Sequence, residues 1–361
     1  VGSAALLCAT PAIVAAVPVP GNVITASALR ARILASAGVP YQGYAESTAD
    51  LGLPKLPDLG SFSSLLDGVT DQYVWYRSPA HWRADTLTAA GEDDVYQVCR
   101  DTFLWNYTYN LLTRVTGRQP VRLPRASDLL PPALASRLLR LASPADRLSR
   151  LPSMRVAGVD AAGLRLVPAN QATTIGSVDI WADPISGLAV EVKITARGAG
   201  QPVLVSKFLE LSQRLPALAT VIPRPAPNVD QATARLSSLN GILSGGRSHP
   251  WPLALGGFRL TAVPDALTGV AFYGAGFARL ALLPLPGRTG SQIRMAALSV
   301  GARTITLPGG SAVLVRTPLL TVVLATARRF GGVTFLFAGL VSAAGLERAA
   351  GSLLALIAGA R

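Results

Sequence analysis

Apolar and polar positions alternate over much of this chain, and a period of two predicts strands. The alternation is clearest at 103–110. There Phe103, Trp105, Tyr107 and Tyr109 fall on one face, and Leu104, Asn106, Thr108 and Asn110 on the other. It returns at 188–197, where Leu188, Val190, Val192 and Ile194 face one way and Glu191, Lys193 and Thr195 the other. Further strands are predicted at 71–78, 81–88, 94–100, 154–160, 163–168, 177–183 and 202–212. Turns at Ser78-Pro79, Ala90-Gly91, Arg100-Asp101 and Asp183-Pro184-Ile185-Ser186-Gly187 separate several of them. Helical spacing predicts a helix over Asn22–Ala37, capped by Thr25 or Ser27 and stopped by Gly38-Val39-Pro40. A second helix is predicted over Ser127–Leu151, with Pro131 and Pro132 in its first turn and a restart at Ser143-Pro144. Between the first helix and the strands, Leu51, Leu53, Leu56, Leu59, Phe62, Leu65 and Leu66 are interleaved with Gly52, Pro54, Pro57 and Gly60. That segment cannot form one long helix and is expected to lie as a lid over an apolar surface.

The order of elements predicts an α+β protein whose large antiparallel sheet has one apolar face covered by helices. Residues 22–215 would form this first domain. Pro216, Pro223, Pro225 and Pro227 mark 216–230 as a linker, and 231–361 as a smaller α+β domain. Its predicted elements are a helix over 231–243, strands near 258–263, 270–276, 278–283, 304–308, 312–316, 319–325 and 333–337, and a closing helix Ala343–Ala358. Residues 1–21 hold an uncharged apolar run that reads as the core of a secretory signal, so the protein is expected outside the cytoplasm. Leu7 before Cys8 is too bulky for a lipoprotein site. The apolar stretches near 318–326 and 332–361 are respectively too short and interrupted by Glu347 and Arg348, so neither is expected to span a bilayer.

Composition narrows the chemistry. Half of the 361 residues are apolar and 15% are charged, which excludes a disordered chain and leaves ample core. Two His and two Cys, at Cys8, His81, Cys99 and His249, are too scattered for a structural zinc site or a disulfide framework. No phosphate-binding loop and no Gly-x-Ser-x-Gly elbow is present. No catalytic residue, metal or cofactor is therefore expected. His81 and Asp85 share a strand face without a nucleophile; Glu92-Asp93-Asp94 reads as a solvated turn; Cys99 reads as a buried structural thiol.

Charge adds one candidate surface. The net charge is +13, from 33 basic and 20 acidic residues. Between positions 114 and 165 ten Arg face only Asp128, Asp146 and Asp160. Arg137, Arg140 and Arg147 are expected along one helical face, clear of the Leu134, Leu138 and Leu141 stripe. Such a stripe suits an anionic membrane surface or an acidic peptide, with a plain solvated face as the alternative. Export argues against nucleic acid.

Several short motifs, taken together, resemble a known family. They are Tyr41-Gln42-Gly43-Tyr44, Trp82-Arg83-Ala84-Asp85, Gly91–Tyr96, Phe103–Tyr107, and Ile175–Trp181 leading to Asp183–Leu188. Gly257–Leu260 and Tyr273–Arg279 follow in the second domain. The set resembles the LolA/LolB-like fold, and within it the RseB/MucB group of regulators. The resemblance implies an incomplete antiparallel β-barrel wrapped around helices, with a cavity for a lipid or acyl chain, and a second, smaller domain. It also implies a membrane-bound anti-sigma factor as partner. On that reading the cavity would be lined by Phe103, Trp105, Tyr107, Tyr109, Val190, Val192 and Ile194, under a lid carrying Leu56, Leu59 and Phe62. A lipid or lipoprotein carrier, or a structural envelope protein with a filled core, are the alternatives.

Overall fold

The structure is a computed structural model that describes residues 23–52, 67–89, 91–116, 124–235, 251–263, 269–328 and 333–359. The expected signal segment and the lid residues Leu56, Leu59 and Phe62 lie outside the described residues. Helix α1 (Ala26–Ala35) starts at Thr25, whose Oγ1 accepts from the Ala28 N–H at 3.2 Å. A 3-10 turn, Ser36–Gly38, ends it. Strands β1 (Tyr41–Asp50), β2 (Asp67–Ser78), β3 (His81–Thr88), β4 (Gly91–Val98), β5 (Asp101–Asn106) and β6 (Leu111–Thr116) follow. Helix α2 (Pro131–Leu141) leads to β7 (Arg147–Val156), β8 (Val159–Val167), β9 (Ile175–Ala182), β10 (Ala189–Ala196), β11 (Pro202–Ser212) and β12 (Asp230–Arg235).

These twelve strands form one sheet in the order β12-β6-β5-β4-β3-β2-β1-β11-β10-β9-β8-β7. All neighbours are antiparallel except β12, which runs parallel to β6. Among the described residues the sheet does not close, and β12 and β7 are its ends. Alternation then decides the layers. Leu164, Leu166, Val178, Ile180, Val192 and Ile194 form one core with Leu29 and Ile33 of α1 and Leu134, Leu138 and Leu139 of α2. The helices and this face of the sheet bury each other's apolar stripes, at roughly 1.5–3 kcal/mol for each large side chain fully buried.

A second sheet of eight strands holds the rest: β13 (Ala254–Leu255), β14 (Phe258–Ala262), β15 (Ala271–Ala275), β16 (Ala278–Leu285), β17 (Arg303–Leu307), β18 (Gly310–Arg316), β19 (Thr321–Ala327) and β20 (Thr334–Gly339). Helix α4 (Ala343–Gly359) packs Leu346, Ala350 and Leu354 on the face bearing Leu280, Val323 and Phe337. Helix α3 (Gly287–Ser299) packs Ala297 and Ile293 on the other face, against Val313 and Leu324. No helix among the described residues is long and apolar enough to cross a membrane.

Four expectations are corrected. The helix over 127–151 shrinks to α2, because Pro144 disfavours helical backbone before it and 147–156 pairs with β8. Arg147 therefore opens a strand and does not continue the helical face of Arg137 and Arg140. The helix expected from 231 is instead strand β12, taken up by the open edge of β6. The strand over 103–110 stops at Asn106; Asn110 adopts φ 50°, which Asn tolerates, and 107–110 becomes a turn. Residues 216–229 make contacts with the first sheet. Arg77 donates to the Pro216 carbonyl, Val221 is buried, and Asn110 Nδ2 donates to the Asn228 carbonyl at 2.7 Å.

The two sheets also touch directly. Thr173 bridges to Val341, and its Oγ1 donates to the Leu340 carbonyl at 3.0 Å and the Phe277 carbonyl at 3.2 Å. Thr174 Oγ1 donates to the Leu319 carbonyl at 2.5 Å. Phe277 and Leu319 insert into the core beneath α1 and α2.

Candidate functional site on the outer face of the first sheet

Strand register separates the residues that sequence reasoning had placed around one cavity. Val192 and Ile194 face α1 and α2 and are covered by them. Val190 sits at an irregularity in the β9–β10 pairing and joins a different core, with Trp181 and Leu188. Phe103 and Trp105 lie on the opposite face of the sheet. Phe103 pairs with Tyr96 and Arg114, and Trp105 with Asp94 and Leu112. Trp105 is buried among Tyr96, Leu112 and Val229, and Tyr107 stacks on it at 4.9 Å and 5°. Tyr107 and Tyr109 belong to the following turn, and Tyr109 is 76% exposed. Arg137 pairs with Asp128 at 3.3 Å, and Arg140 bonds Ser136 one turn earlier on α2.

What the outer face does assemble is a strip of aromatic and charged side chains. Register aligns Trp75, Arg83, Tyr96, Phe103 and Arg114 across β2 to β6, and beside them Tyr73, Asp85, Asp94 and Trp105. Arg83 is its hub. Its guanidinium lies 2.5 Å from Asp85, 3.0 Å from Asp94 and 3.4 Å from Glu92. It also stacks over the Trp75 ring at 5.2 Å and the Tyr96 ring at 5.0 Å. Tyr96 and Tyr107 both donate their hydroxyls to Asp94 Oδ2, at 3.0 and 3.2 Å.

One cation serves three carboxyls, whose oxygens lie within 4.8 Å of one another. Burial, and then the nearby Glu92 and Asp85, pushes Asp94 up to about 8 despite Arg83. Burial likewise pushes Asp85 up to about 6, with Arg83 opposing. For Arg83 burial works downward, and the bond to Asp85 with the charges of Asp85 and Asp94 outweighs it. Three clustered carboxyls have the composition of a cation site, and here Arg83 supplies the positive charge. The solvated-turn reading of Glu92-Asp93-Asp94 is thus corrected: Asp94 is buried, while Asp93 turns away to Asn106 at 2.7 Å. Asp85 belongs to Arg83, and His81 instead approaches Cys99 at 3.7 Å. Cys99 is exposed, not buried, in a turn at φ 53°.

Beside this network the face is hollowed. A cleft of about 300 Å³ is lined by Gln42, Gly43, Tyr44, Tyr73, Trp75, Glu210, Leu211 and Ser212. Tyr44 and Tyr73 lie 4.8 Å apart, and Tyr73 and Trp75 stack at 6.2 Å and 26°. Pairing slips by one residue here: Tyr44 faces Glu210 while Ala45 faces Phe208, leaving Leu209 as a bulge. The bulge brings the backbones so close that a Cβ on Gly43 would lie 2.2 Å from the Glu210 carbonyl oxygen.

No family model matches the sequence, and no curated protein is recognisably similar. Solved structures are. The chain is 18% identical to a chain of the Pseudomonas aeruginosa MucA/MucB complex, covering 91% of this chain and 97% of that one with a TM-score of 0.51. A structure of MucB in complex with MucA(peri) is similar over the same shares, at 18% identity and a TM-score of 0.50. The protein therefore has a LolA/RseB-like fold, the fold of MucB.

Proposed function

We propose that this chain is an exported, non-enzymatic regulator that binds the extracytoplasmic part of a membrane-bound anti-sigma factor. The observation that carries the reading is the extent of the likeness. It spans 91% of this chain, so both sheets, and not only a lipid-carrier-like half, resemble a protein solved with MucA. In the titratable cluster on the outer face, Arg83 ties the acids to one another, which gives them a structural role. We further propose that the chain divides into 22–235 and 251–361. The connection then falls at 236–250, since β12 belongs to the first sheet. A lipid-sensing role fits the family resemblance, but Val192 and Ile194 are already covered by this chain's own Leu and Ile side chains. An acyl chain would need a space not lined by them.

The test is binding to immobilised extracytoplasmic segments of the source organism's single-span anti-sigma proteins, followed by interferometry. One segment should bind at micromolar Kd or tighter. Reversing Arg137 and Arg140, which share the α2 helix, to Glu should weaken that binding about tenfold or more at low salt, and less at high salt where exposed charges are screened. A folded protein that binds none of the segments would sink the proposal. Binding unaffected by the reversal would reduce this pair of Arg to a solvated face.

A further inference from the structure

We propose that the cleft between β1, β2 and β11 binds an arginine side chain of a polypeptide partner. The assignment rests on the reading that this chain binds a polypeptide, and its test uses peptides unrelated to any anti-sigma factor. The walls are the electron-rich rings of Tyr44 and Tyr73, with Trp75, already under Arg83, beside them. Glu210 stands on the rim, exposed, and its carboxylate has no hydrogen-bond or ion-pair partner among the described residues. None of the lining residues is basic, so an anionic guest would meet no charge partner, whereas a cation meets both rings and a carboxylate.

The same chain shows how such a setting is satisfied. One strand away, Arg83 lays its guanidinium over Trp75 and Tyr96 and points it at Asp85 and Asp94. The cleft repeats that ring-and-carboxylate composition at Tyr44, Tyr73 and Glu210, and no basic side chain lines it; Arg83 reaches it only from behind the Trp75 ring. A guanidinium suits it better than a compact ammonium, because its plane can lie on the Tyr73 ring while its edge meets a carboxylate in two parallel bonds. Tyr73 is 43% exposed, which leaves its ring open to a guest. The bulge at Leu209 and the bare backbone of Gly43 are what set Glu210 opposite Tyr44 at the cleft.

The experiment is an NMR titration of the full-length, isotope-labelled protein. The probes are acetyl-Gly-Gly-Arg-Gly-Gly-amide, the same peptide with citrulline, which keeps the shape and removes the charge, and choline chloride. The arginine peptide should give saturable shifts at the backbone amides of 42–44, 73–75 and 210–212, with Kd on the order of 1 mM. Tyr73→Ala and Glu210→Gln should each weaken it about fivefold, the loss of one cation contact. If Tyr73→Ala fails to fold, Tyr73→Leu keeps the volume and removes the ring. The proposal is overturned by equal shifts from citrulline or by choline binding as tightly as arginine. It is equally overturned if the cleft amides are unmoved or if Glu210→Gln binds like the wild type.

Discussion

Asp94 sits where three acids share one guanidinium, and its raised pKa makes folding depend on pH. In the unfolded chain it titrates near the usual carboxylate value, and in the fold at about 8. Between those values the folded state holds the extra proton, so stability falls as pH rises through that window. Asp94→Asn, which keeps an acceptor and removes the charge, should flatten this dependence. We expect the variant to be more stable than the wild type by about 1–2 kcal/mol at pH 8, with the gap closing towards pH 5. Thermal melts across that range check it, and parallel pH profiles would refute it. A period of two puts Arg83 on the face of Asp85 and Glu92 on that of Asp94, but in the sequence alone Asp85 joins His81 and 92–94 reads as a solvated turn. What brought the two pairs together is the β3–β4 register, with Asp85 opposite Asp94, and hairpin register is not written in the alternation itself. Tyr107 and Tyr109 mark the reverse failure, an alternation that continued past the end of its strand.

At the scale of elements, helix α1 and the turn after β9 define each other. The turn legible in Asp183-Pro184-Ile185-Ser186-Gly187 forms as expected: Ile185 N–H donates to Asp183 Oδ1 at 2.9 Å, and Gly187 takes φ +75°. Its function in packing was not legible. A Cβ on Gly187 would lie 2.3 Å from the Arg32 carbonyl oxygen, so the turn is pressed against α1. Gly187→Ala must therefore meet both backbone strain and a clash with helix backbone. We expect a loss of about 2–4 kcal/mol, read as a lower urea midpoint with an unchanged slope. A variant within about 0.5 kcal/mol of the wild type would mean that α1 shifts freely on the sheet. Helix ends were less legible than turns. The apolar spacing of α2 ran on past Leu141, and Pro144 together with the pairing of β7 with β8 decided where it stopped.

At the scale of the molecule, residues far apart in sequence join the two sheets. Phe277 belongs by sequence to the second sheet and by packing to the core beneath α1 and α2. Phe277→Ala should cost about 3–5 kcal/mol and lower a single cooperative transition in calorimetry. Two separated transitions in the wild type would show that the sheets unfold independently. Such a contact has no periodic signature, which is why strands on either side of it were legible beforehand and their meeting was not. The parallel pairing of β12 with β6 has a further consequence, for the order in which the sheet can be completed. Leu111 pairs with Asp230, so more than a hundred residues must be in hand before β6 gains its neighbour. Local hairpins form early, and a pairing this distant in sequence must wait for loop closure. Until then β6 is a bare row of backbone donors and acceptors, the place where two half-finished copies would join edge to edge. In this fold the proline-rich run that carries β12 into place is therefore the step that ends the chain's exposure to its own copies.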